Sequence, residues 1–383
     1  MVCASQWCCR GGRARPRRKR IGPRNRRNCI QVVSKEVLAG VFIVVARTYQ
    51  MRATTLMTTT TGTRPMTDLR LIALQRGAAL GLAAMLAQGG ATATQSAATA
   101  LAPASFEATT MTTRLVPTQL GRLAVHTAGD SGPVVLFWPA VFSDSTIYRA
   151  QVEALRGRYR LILIDGPGFG ASEAPREPFT MEACADAAAE VLQQLDVQRV
   201  AWVGTSWGGI VGVHFAVRHP QMVRGLALMN TPFDMPAEGP GFSDRMVVWG
   251  ARWIGNTDLY ANGVARSFFP ASWRDSHPDE LAAFVATLKT PNEQGMAIAG
   301  RSVLLDRASV LPLLPQIKAP TVVVAGELDA LYPAPTLKAA ADRIPGARFV
   351  EIPGGGHISA MNQPDRVTAL LERELTQWSQ GAP

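Results

Sequence analysis

In the stretch VAWVGTSWGGIVGVHFAVRHP, Gly204-Thr205-Ser206-Trp207-Gly208 sets one serine midway between two glycines. A run of β-branched and aromatic residues precedes it and a helical pattern follows, so Ser206 falls at a strand-to-helix turn. A sharp turn there lifts a hydroxyl clear of the sheet, and glycine two residues to either side lets the crowded backbone make it. Glycine-rich turns also cradle phosphates, but Trp207 and the absence of Lys after Gly209 argue against that use. A hydroxyl at its free pKa is a poor nucleophile. Chemistry at Ser206 therefore needs a base within hydrogen-bond reach and a third group that fixes the base's tautomer.

The chain has five histidines. His126 falls in an early strand, His214 and His219 in or at the end of the helix after Ser206, and His277 in an irregular segment. His357 lies in EIPGGGHISAMNQP, directly after the last predicted strand, where three glycines predict a mobile loop over the strand ends. It is the candidate general base. The orienting acid is expected after TVVVAGELD. Asp329 is preferred to Glu327 because the turn Gly326-Glu-Leu-Asp ends at Asp329, which leaves Glu327 as a solvated turn residue.

Positioning these groups requires a particular alternation of elements. From Met111 onward, LAVHTA, VVLFW, YRLILID, VAWVG and LALMN read as strands. Helices are expected near IYRAQVEALRGR, at about 180–195 and after Ser206. The pattern stops between Thr231 and about Pro315, then resumes with TVVVAGELD, a helix around APTLKAAADRI, ARFVEI and a terminal helix from about Pro364. Alternating strands and helices predict an α/β fold, a mostly parallel central sheet with helices on both faces. The interruption at about 231–315 is read as an inserted helical cap. Its aromatics (Phe233, Phe242, Trp249, Trp253, Tyr260, Phe268, Phe269, Trp273) are expected to pack the insert and close an apolar pocket above Ser206.

Charge divides the chain. The formal net charge is +10, yet residues 1–65 hold fourteen Lys and Arg against the single acid Glu36, while residues 77–383 carry a net −4. The basic excess belongs to a leader, 1–110, that reads as non-globular and is taken as an over-extended gene model, with 111–383 as the folded domain. A nucleic-acid arm is the competing reading of its Arg-rich run. From Met66, basic residues, an apolar stretch and an Ala-Thr-Ala ending lay out a signal peptide at about 66–93. A start there predicts a periplasmic or secreted protein, and a start at Met111 a cytoplasmic one. No apolar run reaches the roughly 20 residues of a membrane span. Four of the five cysteines lie in the leader. Cys184, in a predicted helix, is read as a small buried residue, and no cysteine-based zinc site is expected.

Residues 113–380 resemble the α/β-hydrolase superfamily, capped type. The order Ser206, Asp329, His357 is the order of that fold's catalytic triad, and Asp165-Gly-Pro-Gly-Phe-Gly-Ala-Ser172 resembles its D-x-x-G-x-G-x-S turn after the fourth strand, read as structural. The resemblance implies an oxyanion hole made by the backbone N–H groups of Trp207 and Ala140. Members usually carry His-Gly where this chain has Trp138-Pro139. Together with FWPAVFSDSTIYRAQVEAL, that departure is similar to the enol-lactonase and carboxylesterase branch. It implies hydrolysis of a small carboxylic ester or lactone through an acyl-enzyme, with no metal or organic cofactor. A serine at the elbow argues against the carboxylate-nucleophile dehalogenases and epoxide hydrolases. Carbon–carbon hydrolysis, perhydrolase or acyltransferase chemistry would use the same three residues. A non-catalytic ligand-binding module is the reading from another class. No nucleic-acid partner is expected of the domain.

Overall fold

Apolar runs determine which strands lie deepest. The computed structural model describes residues 111–289 and 293–380; the leader and its candidate signal segment lie outside the described residues. The strands are β1 (Thr112–Thr118), β2 (Gly121–Ala128), β3 (Val134–Trp138), β4 (Arg160–Ile164), β5 (Val200–Thr205), β6 (Val223–Met229), β7 (Thr321–Gly326) and β8 (Arg348–Ile352). They form one sheet in the order β1-β2-β4-β3-β5-β6-β7-β8. β2 is antiparallel to β1 and β4, and the other neighbours are parallel. Every residue of β5 and β7 is buried, as parallel strands covered on both faces require. β1, an antiparallel edge, leaves most of its side chains in water.

The helices are α1 (Arg149–Leu155), α2 (Met181–Gln194), α3 (Trp207–Arg218), α4 (Phe242–Ile254), α5 (Asp258–Phe268), α6 (Ala271–Ser276), α7 (Pro278–Leu288), α8 (Glu293–Leu304), α9 (Ala334–Ala341), α10 (Ser359–Asn362) and α11 (Pro364–Gln380). α2 starts where the Thr180 hydroxyl accepts from Ala183 N at 3.1 Å, satisfying one of the free amides of the first turn. Its small residues pack against α3, and Cys184 among them is fully buried, with its thiol pKa pushed up by that burial.

Helices α4 to α8 stand between β6 and β7. Their aromatics divide into two sets. Phe268, Phe269 and Trp273 are buried, with Phe269 stacked on Trp273 at 4.5 Å and edge-on to Phe284 at 5.0 Å. Phe242, Trp249 and Trp253 are 69%, 37% and 47% exposed. Their spacing of seven and then four puts them on one face of α4, so these three do not fill the insert's interior.

From β3 the chain passes to β4 on one side and then returns to β5 on the other. In open α/β sheets, the crevice at the carboxyl ends of such a pair is where ligands bind. Fully buried Trp138, Trp202 and Trp207 pack there, Trp138 being stacked with Trp202 at 6.1 Å and edge-on to Trp207 at 5.6 Å.

Candidate active site

Ser206 stands between β5 and α3 with φ 54° and ψ −108°, a conformation that costs an L residue about 1–3 kcal/mol. Its N–H donates to Met229 O at 2.8 Å, while its carbonyl accepts from Gly209 N at 3.0 Å and Ile210 N at 3.2 Å. The turn is thus tied to β6 on one side and opens α3 on the other. The flanking glycines are needed for close approach. A Cβ on Gly204 would lie 2.1 Å from Gly208 O, and one on Gly208 would lie 1.9 Å from Trp138 O. Ser206 also sits at the positive end of a 12-residue helix, which favours negative charge forming nearby.

Asp329 ends the turn after β7, and its buried carboxylate accepts four hydrogen bonds. Oδ2 receives His357 Nδ1 at 2.9 Å and Asn230 Nδ2 at 3.0 Å; Oδ1 receives Leu331 N at 2.9 Å and Tyr332 N at 3.2 Å. Burial works to raise the pKa of Asp329. The charge and hydrogen bond of His357, with the donors from Asn230 and Leu331, outweigh it and hold the carboxyl below its ordinary value. An ionised carboxylate on Nδ1 keeps the proton there and leaves Nε2 as the basic nitrogen. Glu327 is exposed and accepts from Gly354 N at 2.8 Å.

The loop carrying His357 is packed, in contrast to the mobility that its three glycines predict. Gly355 O accepts from Leu328 N at 2.7 Å, Gly356 N donates to Asn362 Oδ1 at 2.9 Å, and His357 N donates to Phe268 O at 2.9 Å. A Cβ on Gly356 would lie 2.6 Å from the Pro270 ring, so glycine here admits the insert rather than motion. The imidazole has Phe268 at 5.1 Å and Tyr332 at 5.4 Å. Asp329 and His357 are therefore in direct contact. Ser206 lies two strands from Asp329, at the end of β5, with no hydrogen bond from its hydroxyl to the ring among the described residues.

Asn230, which the sequence reading passes over, links these parts. It is fully buried with φ 49°, a left-handed conformation that asparagine tolerates better than most residues. Its Nδ2 also donates to Gly356 O at 3.1 Å, and its Oδ1 accepts from Ser359 Oγ at 2.8 Å. The available signal is an asparagine closing an apolar strand just before Thr-Pro.

The N–H groups of Ala140 and Trp207 have no acceptor among the described residues. Between them, Gly208 N donates to Pro139 O at 3.1 Å and fastens the loop after β3 to the start of α3. Ser143 Oγ donates to Ala140 O at 2.9 Å. Phe142, at φ 58°, sets its ring edge-on to Phe169 at 5.8 Å and Tyr260 at 6.0 Å, so the same loop is gripped by the insert. Beneath it, Asp165 accepts from Ser145 N at 2.9 Å, Ala171 N at 3.0 Å and His126 Nε2 at 3.0 Å. Thus the turn after β4 is a structural brace for the loop. Asp144 lies beside it, its pKa raised to about 6 by burial and by the charge of Asp165, against the hydrogen bonds from Thr146 and the charge of His126.

The other histidines have partners elsewhere. His219 meets Asp186 at 2.8 Å, His214 lies 3.5 Å from Glu182, and His277 stacks on Trp273 at 5.0 Å. Among the described residues no group of three His, Cys, Asp or Glu is disposed to hold a metal ion, and no helix is long and apolar enough to cross a membrane.

Comparison with known proteins gives the family. The pimeloyl-[acyl-carrier protein] methyl ester esterase of Xanthomonas oryzae is 30% identical over 252 residues, covering 63% of this chain and 94% of that protein. The enol-lactonase of Burkholderia xenovorans is 27% identical, with a TM-score of 0.64 over 69% of this chain and all of that one. A thermophilic esterase of Thermogutta terrifontis is 28% identical, with a TM-score of 0.63 over 70% and 99% of the two chains. The alpha/beta hydrolase fold family matches residues 133–364, and with that match, the eight-stranded sheet and the strained serine between β5 and α3, this chain belongs to the α/β-hydrolase family.

Proposed function

We propose that this enzyme hydrolyses a small carboxylic ester or lactone through an acyl-enzyme, with Ser206 as nucleophile, His357 as general base and Asp329 as the acid that orients the histidine. The observation that carries the reading is the buried 2.9 Å contact of His357 Nδ1 with Asp329 Oδ2, in the crevice where Ser206 is held in its strained turn. Nε2 takes the hydroxyl proton as Oγ attacks the carbonyl carbon, and returns it to the leaving alkoxide. A water, deprotonated by the same nitrogen, then attacks the acyl carbon and releases the carboxylic acid and Ser206. The negative charge formed at the carbonyl oxygen in each half falls to the amides of Ala140 and Trp207, which have no other acceptor among the described residues. The named activities of the relatives, on a methyl ester, an enol-lactone and esters, support an acyl–oxygen bond as the target.

The test is turnover of short-chain aryl esters and an enol-lactone by the full chain and its Ser206→Ala variant. Loss of about 10⁴-fold or more in kcat is expected in the variant. Undiminished turnover there would remove Ser206 from the chemistry. A folded wild type that is inert on both substrates yet cleaves a carbon–carbon bond would replace the ester reading.

A further inference from the structure

The opposite ends of the same strands carry a cluster of another kind. At the N-terminal ends of β5, β6 and β7 lies a cavity of about 270 Å³ lined by Arg199, Arg224 and Lys318, with Trp378 of α11 and two prolines, Pro220 and Pro320, among its walls. Arg199 immediately precedes β5, Arg224 is the second residue of β6, and Lys318 lies three residues before β7. No carboxylate lines the cavity. Arg199 donates to Val223 O at 3.3 Å, but the Nε–H groups of Arg199 and Arg224 are buried without a partner among the described residues. Convergence of three cations runs against the net −4 of residues 77–383. Arg199 and Arg224 are half-buried and Lys318 is exposed, so their like charges repel across a partly desolvated cavity and an anion placed between them is favoured.

We infer that this cavity binds a small phosphomonoester. A phosphate monoester carries about two negative charges at neutral pH and three acceptor oxygens, which suits two planar guanidinium forks and an ammonium better than the single charge of a carboxylate does. The indole of Trp378 and the proline rings would take the organic part. The cavity is smaller than the roughly 300–1,000 Å³ of sites for drug-sized ligands, so that part is small. At about 3.3 Å per residue, the seven residues of β6 put the cavity about 20 Å from the crevice at Ser206. It is separate from the hydrolytic site and does not rest on the hydrolase reading.

Calorimetric titration of the full chain with phenyl phosphate, inorganic phosphate and benzoate at low salt tests this. Wild type should saturate with phenyl phosphate, bind inorganic phosphate more weakly and bind benzoate weakest. Arg224→Gln and Lys318→Gln should each weaken phenyl phosphate about tenfold or more, and Ser206→Ala should leave it unchanged. The Arg-rich leader is common to all variants, so a difference between them does not come from it. Arg224→Lys, which keeps charge and loses the fork, should fall between wild type and Arg224→Gln, and it stands in if the Gln variant does not fold. Equal affinity in wild type and variants, or benzoate binding as tightly as phenyl phosphate, would overturn the assignment.

Discussion

Asp144→Asn is expected to stabilise the protein increasingly as the pH rises from 4 to 7. The carboxyl of Asp144 is buried beside Asp165 and its pKa moves from 3.8 to about 6, burial being the larger cause and the Asp165 charge the next. An acid whose folded pKa lies above its unfolded one binds more protons in the folded state between the two values. Stability from this group therefore falls as the pH climbs from about 3.8 through about 6, and stays lower above that. At about 1.4 kcal/mol per pH unit, the fall is about 3 kcal/mol. Asparagine keeps the acceptor that Thr146 uses, since Thr146 N at 3.0 Å and Thr146 Oγ1 both donate to Oδ1, and it has no charge to desolvate. Any fixed penalty for burying the new carboxamide N–H₂ is the same at every pH and drops out of the comparison. Thermal midpoints of wild type and variant across pH 4 to 8 give the readout: the difference should open by roughly 6–12 °C in favour of Asn between pH 4 and pH 7. A constant difference across that range would show that Asp144 is not titrating there and refute the argument.

Phe142→Gly removes the strain of a φ of 58° and, with it, the ring that meets Phe169 and Tyr260. Relief of about 1–3 kcal/mol against about 3–5 kcal/mol for a deleted buried ring leaves a net loss of about 2 kcal/mol, measured by urea unfolding. On ester substrates kcat should fall more than KM rises, because the loop that Phe142 secures carries the Ala140 amide, which in the proposed mechanism acts in the transition state; Phe142→Leu should recover part of kcat. Asn230→Ala deletes the donor to Asp329 and Gly356 and the acceptor for Ser359, a loss of about 3–4 kcal/mol at pH 7. The depressed pKa of Asp329 stabilises the fold above its unfolded value and is lost as the pH falls through the folded one. Without the Asn230 donor that contribution shrinks, so the variant's deficit in unfolding free energy should narrow below about pH 4.

Local patterns carried much of the architecture. VAWVG, TVVVAG and the glycines around Ser206 announce buried strands and a tight turn through composition alone, because a strand covered on both faces has no polar alternation and Gly208 has no room for a Cβ beside Trp138 O. The interruption between β6 and β7 was equally legible. What that insert touches was not. Its contacts with His357, Gly356 and Phe142 are tertiary, and nothing in PGGGH distinguishes glycines that permit motion from glycines that admit a neighbour. The aromatics of α4 misled for the same reason: a count of rings does not say which face of a helix they occupy. Asp144 and Asp165 look like ordinary acids until the fold places them together, and Arg199, Arg224 and Lys318 are more than 100 residues apart at the extremes.

The residues least expected from the sequence share a backbone property that bears on function. Among the described residues, the non-glycine positions with positive φ are Phe142, Asp196, Ser206 and Asn230. Asp196 lies in the turn after α2, whereas the other three follow β3, β5 and β6, neighbouring strands of the sheet. Each of those strands is thus followed, within four residues, by a residue with positive φ at the carboxyl edge. The consequences are a hydroxyl at the start of α3, a carboxamide on Asp329 and a loop amide without an acceptor, all in one crevice. At about 1–3 kcal/mol each, three such residues cost several kcal/mol. A domain stable by about 5–15 kcal/mol retains that strain only where surrounding contacts impose it. Here they are the Met229 carbonyl on Ser206, the Ser359 hydroxyl on Asn230 and the insert's Tyr260 on Phe142. Through Phe142 and the backbone of His357 the insert therefore helps to set the geometry on which the proposed chemistry depends.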